Sequence, residues 1–179
     1  HRVRQIVDGQ ITAFAGTGTT GGAGDGGPAL AATFRAPTSL ALDAAGALYV
    51  ADRDDDRVRK IQGGQVSAVA GPAALAGGLD GPSGVAIDPA GGVLIADTLH
   101  HRVVRIAAGE ATPVAGLGYG DFSGDGGPAT NATLSWPAGV TVGPDGSVYV
   151  VDTYQGYIRH VRADGVIVKP LDPLALIAT

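Results

Sequence analysis

The chain has 179 residues and a mass of 17.7 kDa, and it carries 12 Lys+Arg against 17 Asp+Glu for a net charge of −5. It has 30 Gly and 11 Pro, but with 45% apolar residues, 16% charged residues and a mean hydropathy of +0.20 the composition excludes simple disorder. The absence of Cys excludes a disulfide scaffold, a thiolate metal site and a Cys nucleophile, the acidic balance argues against a phosphate-binding surface, and no apolar run reaches the roughly 18 residues of a membrane span.

In chain order, His1-Arg-Val-Arg-Gln-Ile6 and Ile11-Thr-Ala-Phe14 read as two short strands. They match only the second half of a unit that follows three times, its copies starting at Pro37, Pro82 and Pro137, 45 and 55 residues apart. In the first copy the predicted strands are A (Leu40–Leu42), B (Leu48–Ala51), C (Val58–Ile61) and D (Val66–Val69), apolar and β-branched, with Gly or Asp-Gly turns between them. Asp43-Ala-Ala-Gly46, Asp88-Pro-Ala-Gly91 and Gly143-Pro-Asp-Gly146 are the expected A–B turns, where Gly admits a positive φ and Asp serves as a turn former. The units predict a half-blade over residues 1–15 and blades over 37–70, 82–115 and 137–169, with 170–179 as an outer strand exit or linker.

Four antiparallel strands repeated about every 45 residues predict an all-β fold of β-propeller blades, about three and a half in number. Propellers close with about four to eight blades, so the chain is expected to be part of a six- or seven-bladed ring or to form an oligomer. Its start at His1 points the same way. Open blade edges favour self-association, whereas closure as a neat dimer is unattractive because each half-blade lacks its inner strands.

The longer D–A connections, 16–34 and 116–134, share Gly24-Asp25-Gly26-Gly27-Pro28-Ala29 and Gly124-Asp125-Gly126-Gly127-Pro128-Ala129. Asp and glycine carbonyls are hard oxygen ligands of the kind calcium takes, but the spacing of an EF-hand is missing; the other reading is that Asp25 and Asp125 cap a helical turn starting at Pro28 or Pro128. The D–A and B–C connections emerge on one face, which is the expected partner face, with Asp25, Arg53, Asp54, His100, Tyr119, Phe122, Asp125 and Tyr154 as candidate contacts. Asp52 with Arg57 and Asp97 with Arg102 bracket the B–C turns and are expected to pair structurally. Trp136, immediately before Pro137, is expected to pack between blades, and Asn131-Ala-Thr133 fits a glycosylation acceptor. His100 and His101 are adjacent and would point to opposite sides of a strand, so no metal site and no catalytic set is expected.

The run from Pro82 to Val103, with Asp88-x-x-Gly91, Ala96-Asp97 and His101-Arg102-Val103, resembles the NHL-repeat family, and the Gly-Asp-Gly-Gly-Pro-Ala loops resemble those of bacterial members. The His-Arg step is replaced by Asp56-Arg57 in the first copy and Gly156-Tyr157 in the last. The resemblance implies a non-catalytic recognition scaffold for a protein or small ligand; it also admits an RNA-binding domain, which the acidic balance argues against, and no cofactor, nucleic acid or membrane partner is expected. It also implies the competing class, a portion of a metal-dependent propeller lyase or lactonase. An extracellular or cell-envelope location is the expectation.

Overall fold

The computed structural model describes residues 1–70 and 78–168. The exit assigned to 170–179 and most of the short connection after Ala70 lie outside the described residues.

Among them, fourteen strands form one two-stranded and three four-stranded antiparallel sheets, each a meander in which strands adjacent in sequence are adjacent in the sheet. The half-blade is β1 (Val3–Val7) with β2 (Gln10–Ala15). The first full blade is β3 (Pro37–Leu42), β4 (Leu48–Asp52), β5 (Arg57–Gln62) and β6 (Gln65–Ala70). The second is β7 (Pro82–Ile87), β8 (Val93–Asp97), β9 (Arg102–Ala107) and β10 (Glu110–Ala115). The third is β11 (Pro137–Val142), β12 (Val148–Asp152), β13 (Tyr157–Val161) and β14 (Ile167–Val168). The sheets do not close into a ring, and the fold is a partial propeller.

One register recurs in all three blades. Pro37, Pro82 and Pro137 stand opposite Asp52, Asp97 and Asp152, and the pairing shifts by a residue immediately afterwards. Proline lacks the N–H a ladder needs, so it is tolerated at the first residue of an edge strand beside a bulge. At the A–B turns Asp43 Oδ1 accepts the amides of Ala45 and Ala47 at 2.9 and 2.8 Å, and Asp88 Oδ1 those of Ala90 and Gly92 at 2.8 Å each. Gly143 has no side chain to offer, and Asp145 takes over by accepting from the amide and hydroxyl of Ser147 at 3.1 and 2.6 Å.

The B strands read as apolar runs because both sides are covered. Leu48 and Val50 of β4 join Val3, Ala15 and Phe34 in the core between half-blade and first blade, while Tyr49 and Ala51 join Val85, Val93 and Ile95 in the next core. A third core lies between the second and third blades, around Leu94, Val103, Val148 and Val150. Inner strands touch directly: Thr38 Oγ1 donates to Ser83 O at 3.1 Å, and a Cβ on Gly84 would sit 2.7 Å from Ala138 O, so only glycine lets β7 approach β11 this closely.

The two outermost faces are uncovered. Ile158 of β13 is 55% exposed, whereas Val58 and Val103 at the same register in the other blades are fully buried. At the other end Ile6 and Ile11 of the half-blade are 73% and 59% exposed, and on the first blade Leu40, which the two-stranded half-blade leaves without an opposing inner strand, is 50% exposed where its counterpart Val85 is 4% exposed. No helix among the described residues is long and apolar enough to cross a membrane.

Candidate functional site

Each B strand ends in a fully buried aspartate whose Oδ1 accepts backbone amides at the end of the D–A connection: Asp52 from Arg35 and Ala36 (2.9 and 2.8 Å), Asp97 from Asp80 (2.8 Å) and Asp152 from Ser135 (2.6 Å). These carboxylates tie the two sets of connections into one surface. The fourth residue of each B–C turn is left-handed, Asp56 at φ 51°, His101 at 51° and Gly156 at 72°. The substitutions at the His-Arg step therefore keep residue types that tolerate or favour this conformation.

The second carboxylate oxygen finds a different partner in each blade. Asp97 Oδ2 receives Arg102 Nε at 2.7 Å and lies 3.0 Å from His100 Nδ1. The expected pair of Asp52 with Arg57 does not form. Arg57 turns to Gly22 O (3.2 Å), Asp25 (3.3 Å) and Asp55 (3.4 Å), because the long connection brings an acceptor and a carboxylate to its tip. Asp52 Oδ2 is left buried without a hydrogen-bond partner among the described residues. Burial raises the Asp52 carboxyl above the usual carboxylate range despite its two backbone donors. In the third blade Tyr157 replaces the arginine, and Arg159 Nη1 approaches Asp152 Oδ2 at 3.4 Å.

Asp25 and Asp125 do not cap helical turns. The turns at Ala29–Ala31 and Ala129–Asn131 begin at Pro28 and Pro128 with no side-chain cap. The Asp25 carboxylate accepts from Arg59 Nε at 2.9 Å and the Asp125 carboxylate from Arg159 Nη2 at 2.8 Å. Both arginines are fully buried. Arg59 also donates to Thr33 O (2.7 Å) and Ala23 O (3.1 Å) and lies 4.8 Å from the Phe34 ring centre; Arg159 donates to Thr133 O (3.1 Å) and Ser123 O (3.2 Å) and lies 4.5 Å from that of Phe122. At the matching register of the second blade, which follows the short connection, stands Val104. The long connections are thus wrapped around guanidinium groups projecting from the C strands. Arg59 and Arg159 were legible only as polar residues in mid-strand, at a register where Val104 stands in the second copy.

The remaining candidates lie outward. Arg53 and Asp54 are exposed, 4.0 Å apart, and His100 is half-buried beside Asp97. Phe122 is half-buried beneath Arg159, 5.0 Å from the Tyr157 ring. Tyr119 and Tyr154 are exposed.

Trp136 packs between blades only in part: it meets His101 of the second blade, but much of it faces water. The residue is 46% exposed and its φ is +56°, although bulky residues seldom adopt that region and Pro137 follows. Its amide donates to His101 Nδ1 at 3.2 Å, its carbonyl accepts from Thr153 at 3.4 Å, and its ring meets that of His101 edge-on at 6.4 Å. Tyr154 N donates to Ser135 O at 3.1 Å, and Gly120 lies against His101 and Ser135, which places neighbouring Tyr119 on the same patch. The repeat-equivalent residues are Ala36 and Gly81. Its place before Pro137 predicts a packing residue, whereas a tryptophan where the other units have small residues was the signal of its exposure.

No group of three or more His, Asp or Glu side chains comes together as a metal site among the described residues.

A family model for the NHL repeat matches residues 79–106, and one for the teneurin NHL domain matches residues 118–176. These two units match as NHL repeats, which supports an NHL-repeat β-propeller. No curated protein matches the chain in sequence. Among solved structures, the chain is similar to virginiamycin B lyase from Staphylococcus aureus in its complex with quinupristin, at 17% identity and a TM-score of 0.60, over 97% of this chain and 50% of that one. A chain of the nidogen/laminin complex is similar at 16% identity and a TM-score of 0.61, over 91% and 54%. The gluconolactonase of Xanthomonas campestris is similar at 18% identity and a TM-score of 0.56, over 75% and 47%. At these identities the likeness is one of fold, and the chain spans about half the length of the propellers it matches.

Proposed function

We propose that these NHL repeats are a non-catalytic recognition module that binds a protein or small-ligand partner on the face formed by the D–A and B–C connections, between the second and third blades. The observation that carries this reading is Trp136, an exposed indole on a left-handed backbone. Holding a non-glycine residue there costs of order 1–3 kcal/mol, and 46% of the residue stays in water. Strain of this kind, with exposed Tyr119 and Tyr154 beside it, is typical of a surface that gains its contacts on binding. Asp25, Asp125 and Phe122 serve this face indirectly, by shaping the long connections around their arginines.

The test compares the 179-residue chain with a variant carrying Tyr119→Ala, Trp136→Ala and Tyr154→Ala on peptide and glycan arrays, with matched melting temperatures as the control for folding. Ligands held by the parent chain and bound about tenfold more weakly by the variant are the expected result. Binding that survives all three substitutions, or no binding by the parent, refutes the reading.

A further inference from the structure

Three times within this chain a cation is held between an aromatic face and a carboxylate. Arg59 lies 4.8 Å from the Phe34 ring centre and 2.9 Å from Asp25; Arg159 lies 4.5 Å from that of Phe122 and 2.8 Å from Asp125; Lys60 lies 5.5 Å from that of Tyr49 and 4.0 Å from Asp43. In each case the ring quadrupole and the carboxylate attract the same positive group.

The patch around Trp136 offers the same two components without a cation. Tyr119, Trp136 and Tyr154 are exposed, and no Lys or Arg lies over any of their rings among the described residues. The three rings do not stack on one another, so their faces stay open. Asp121, two residues beyond Tyr119 on the same connection, is exposed and pairs with no basic side chain among the described residues; its Oδ1 accepts only the amide of Phe122, at 2.8 Å. The neighbouring arginines are already matched: Arg102 with Asp97, and Arg159 with Asp125 and Asp152. Asp121 therefore leaves this part of the surface with an uncompensated negative charge, in a chain of net charge −5.

We infer that the Trp136 patch is a cation-recognition site whose occupant is a basic side chain, an arginine or lysine, of a partner peptide, stacked on the aromatic rings and charge-paired with Asp121. The inference rests on the recognition face proposed above and names the chemistry that it reads. Trp136 gives the strongest ring for such a contact, and its left-handed backbone keeps the indole outward rather than folded into the inter-blade core.

Trp136 is the only tryptophan in the chain, so its own fluorescence reports occupancy. The probes are a capped peptide alternating glycine with arginine and the same peptide with citrulline, which keeps the shape and removes the charge. A saturable change in Trp136 emission with the arginine peptide is expected, with affinity about tenfold lower for the citrulline peptide, in line with a partly desolvated cation–π contact plus one charge pair. Asp121→Asn should weaken the arginine peptide several-fold, while Glu110→Gln, which removes an equal charge from the exposed start of β10, should leave it unchanged. If both peptides bind equally well, the cation assignment falls and the recognition face stands. Equal weakening by the two charge variants would reduce the effect to the net charge of the chain and overturn the site. Silence of Trp136 toward both peptides overturns the inference, and the array comparison then decides the fate of the face separately.

Discussion

Asp52 and Asp97 occupy the same place in successive blades, yet one leaves a carboxylate oxygen unpartnered and the other receives an arginine and approaches a histidine. Removing charge should therefore act in opposite directions. Asp52→Asn keeps the oxygen that accepts from Arg35 and Ala36 and removes a buried charge, so the melting temperature at neutral pH should hold or rise. Burial raises the Asp52 carboxyl, which means the folded state binds its proton more tightly than the unfolded chain does. Ionisation then costs stability, and the parent regains it as pH falls through the raised value. The advantage of Asp52→Asn should shrink on the same descent, and a clear loss of melting temperature at neutral pH would contradict this account. Asp97→Asn breaks the pair with Arg102 and should cost about 1–3 kcal/mol, read from urea unfolding. That an aspartate would end each B strand was legible from the repeat, because the turn needs an acceptor there. Which aspartate would lack a partner was not, since Arg57 is drawn off by Gly22 and Asp25, more than thirty residues earlier in the chain.

The elements that distinguish the blades are the long connections: the C-strand arginines Arg57 and Arg59 hold residues 16–34, and Arg159 holds 116–134. Arg59→Leu should release residues 16–34 while leaving 116–134 intact. The cost should fall at the lower end of about 3–5 kcal/mol for a broken buried pair, since Asp25 remains partly exposed. Hydrogen exchange gives the local readout: the amides of Gly26 and Ala29, bonded to Val66 and Gly64, should exchange faster, while those of Gly126 and Ala129 should not. The reverse change, Val104→Arg, places a guanidinium in a blade whose connection lacks the matching carboxylate, and should destabilise the chain by leaving a charge buried and unpaired. Strand positions and the A–B turns were readable because alternation and turn chemistry act over two to five residues. The fold of the Gly-Asp-Gly-Gly loops was misread as capping because its partner lies 34 residues downstream.

Across the whole molecule, blade cores are shared between neighbours, so the two outermost faces lack half of theirs. Ile158 and Val151 on the third blade and Ile6 and Ile11 on the half-blade expose side chains of the kind the inner faces bury, as do Leu40 and Leu42 on the side of the first blade where the half-blade has no inner strands to oppose them. Light scattering should give a calcium-independent multiple of 17.7 kDa, and Ile158→Asp with Val151→Asp should lower that multiple, since a charge on an apolar contact face opposes its burial. A monomer before substitution would show that these faces are satisfied within one chain.

By itself the sequence determined the four-stranded unit, its spacing, its turns and the incomplete ring, because each follows from short-range alternation and from glycine, proline and aspartate at fixed offsets. Only the tertiary structure decided that Arg59 and Arg159 organise the long connections, that Asp52 Oδ2 is left without a partner among the described residues and that Trp136 faces water. These outcomes depend on which distant carbonyls and carboxylates the packed blades bring within about 3 Å, a distance that no local pattern encodes.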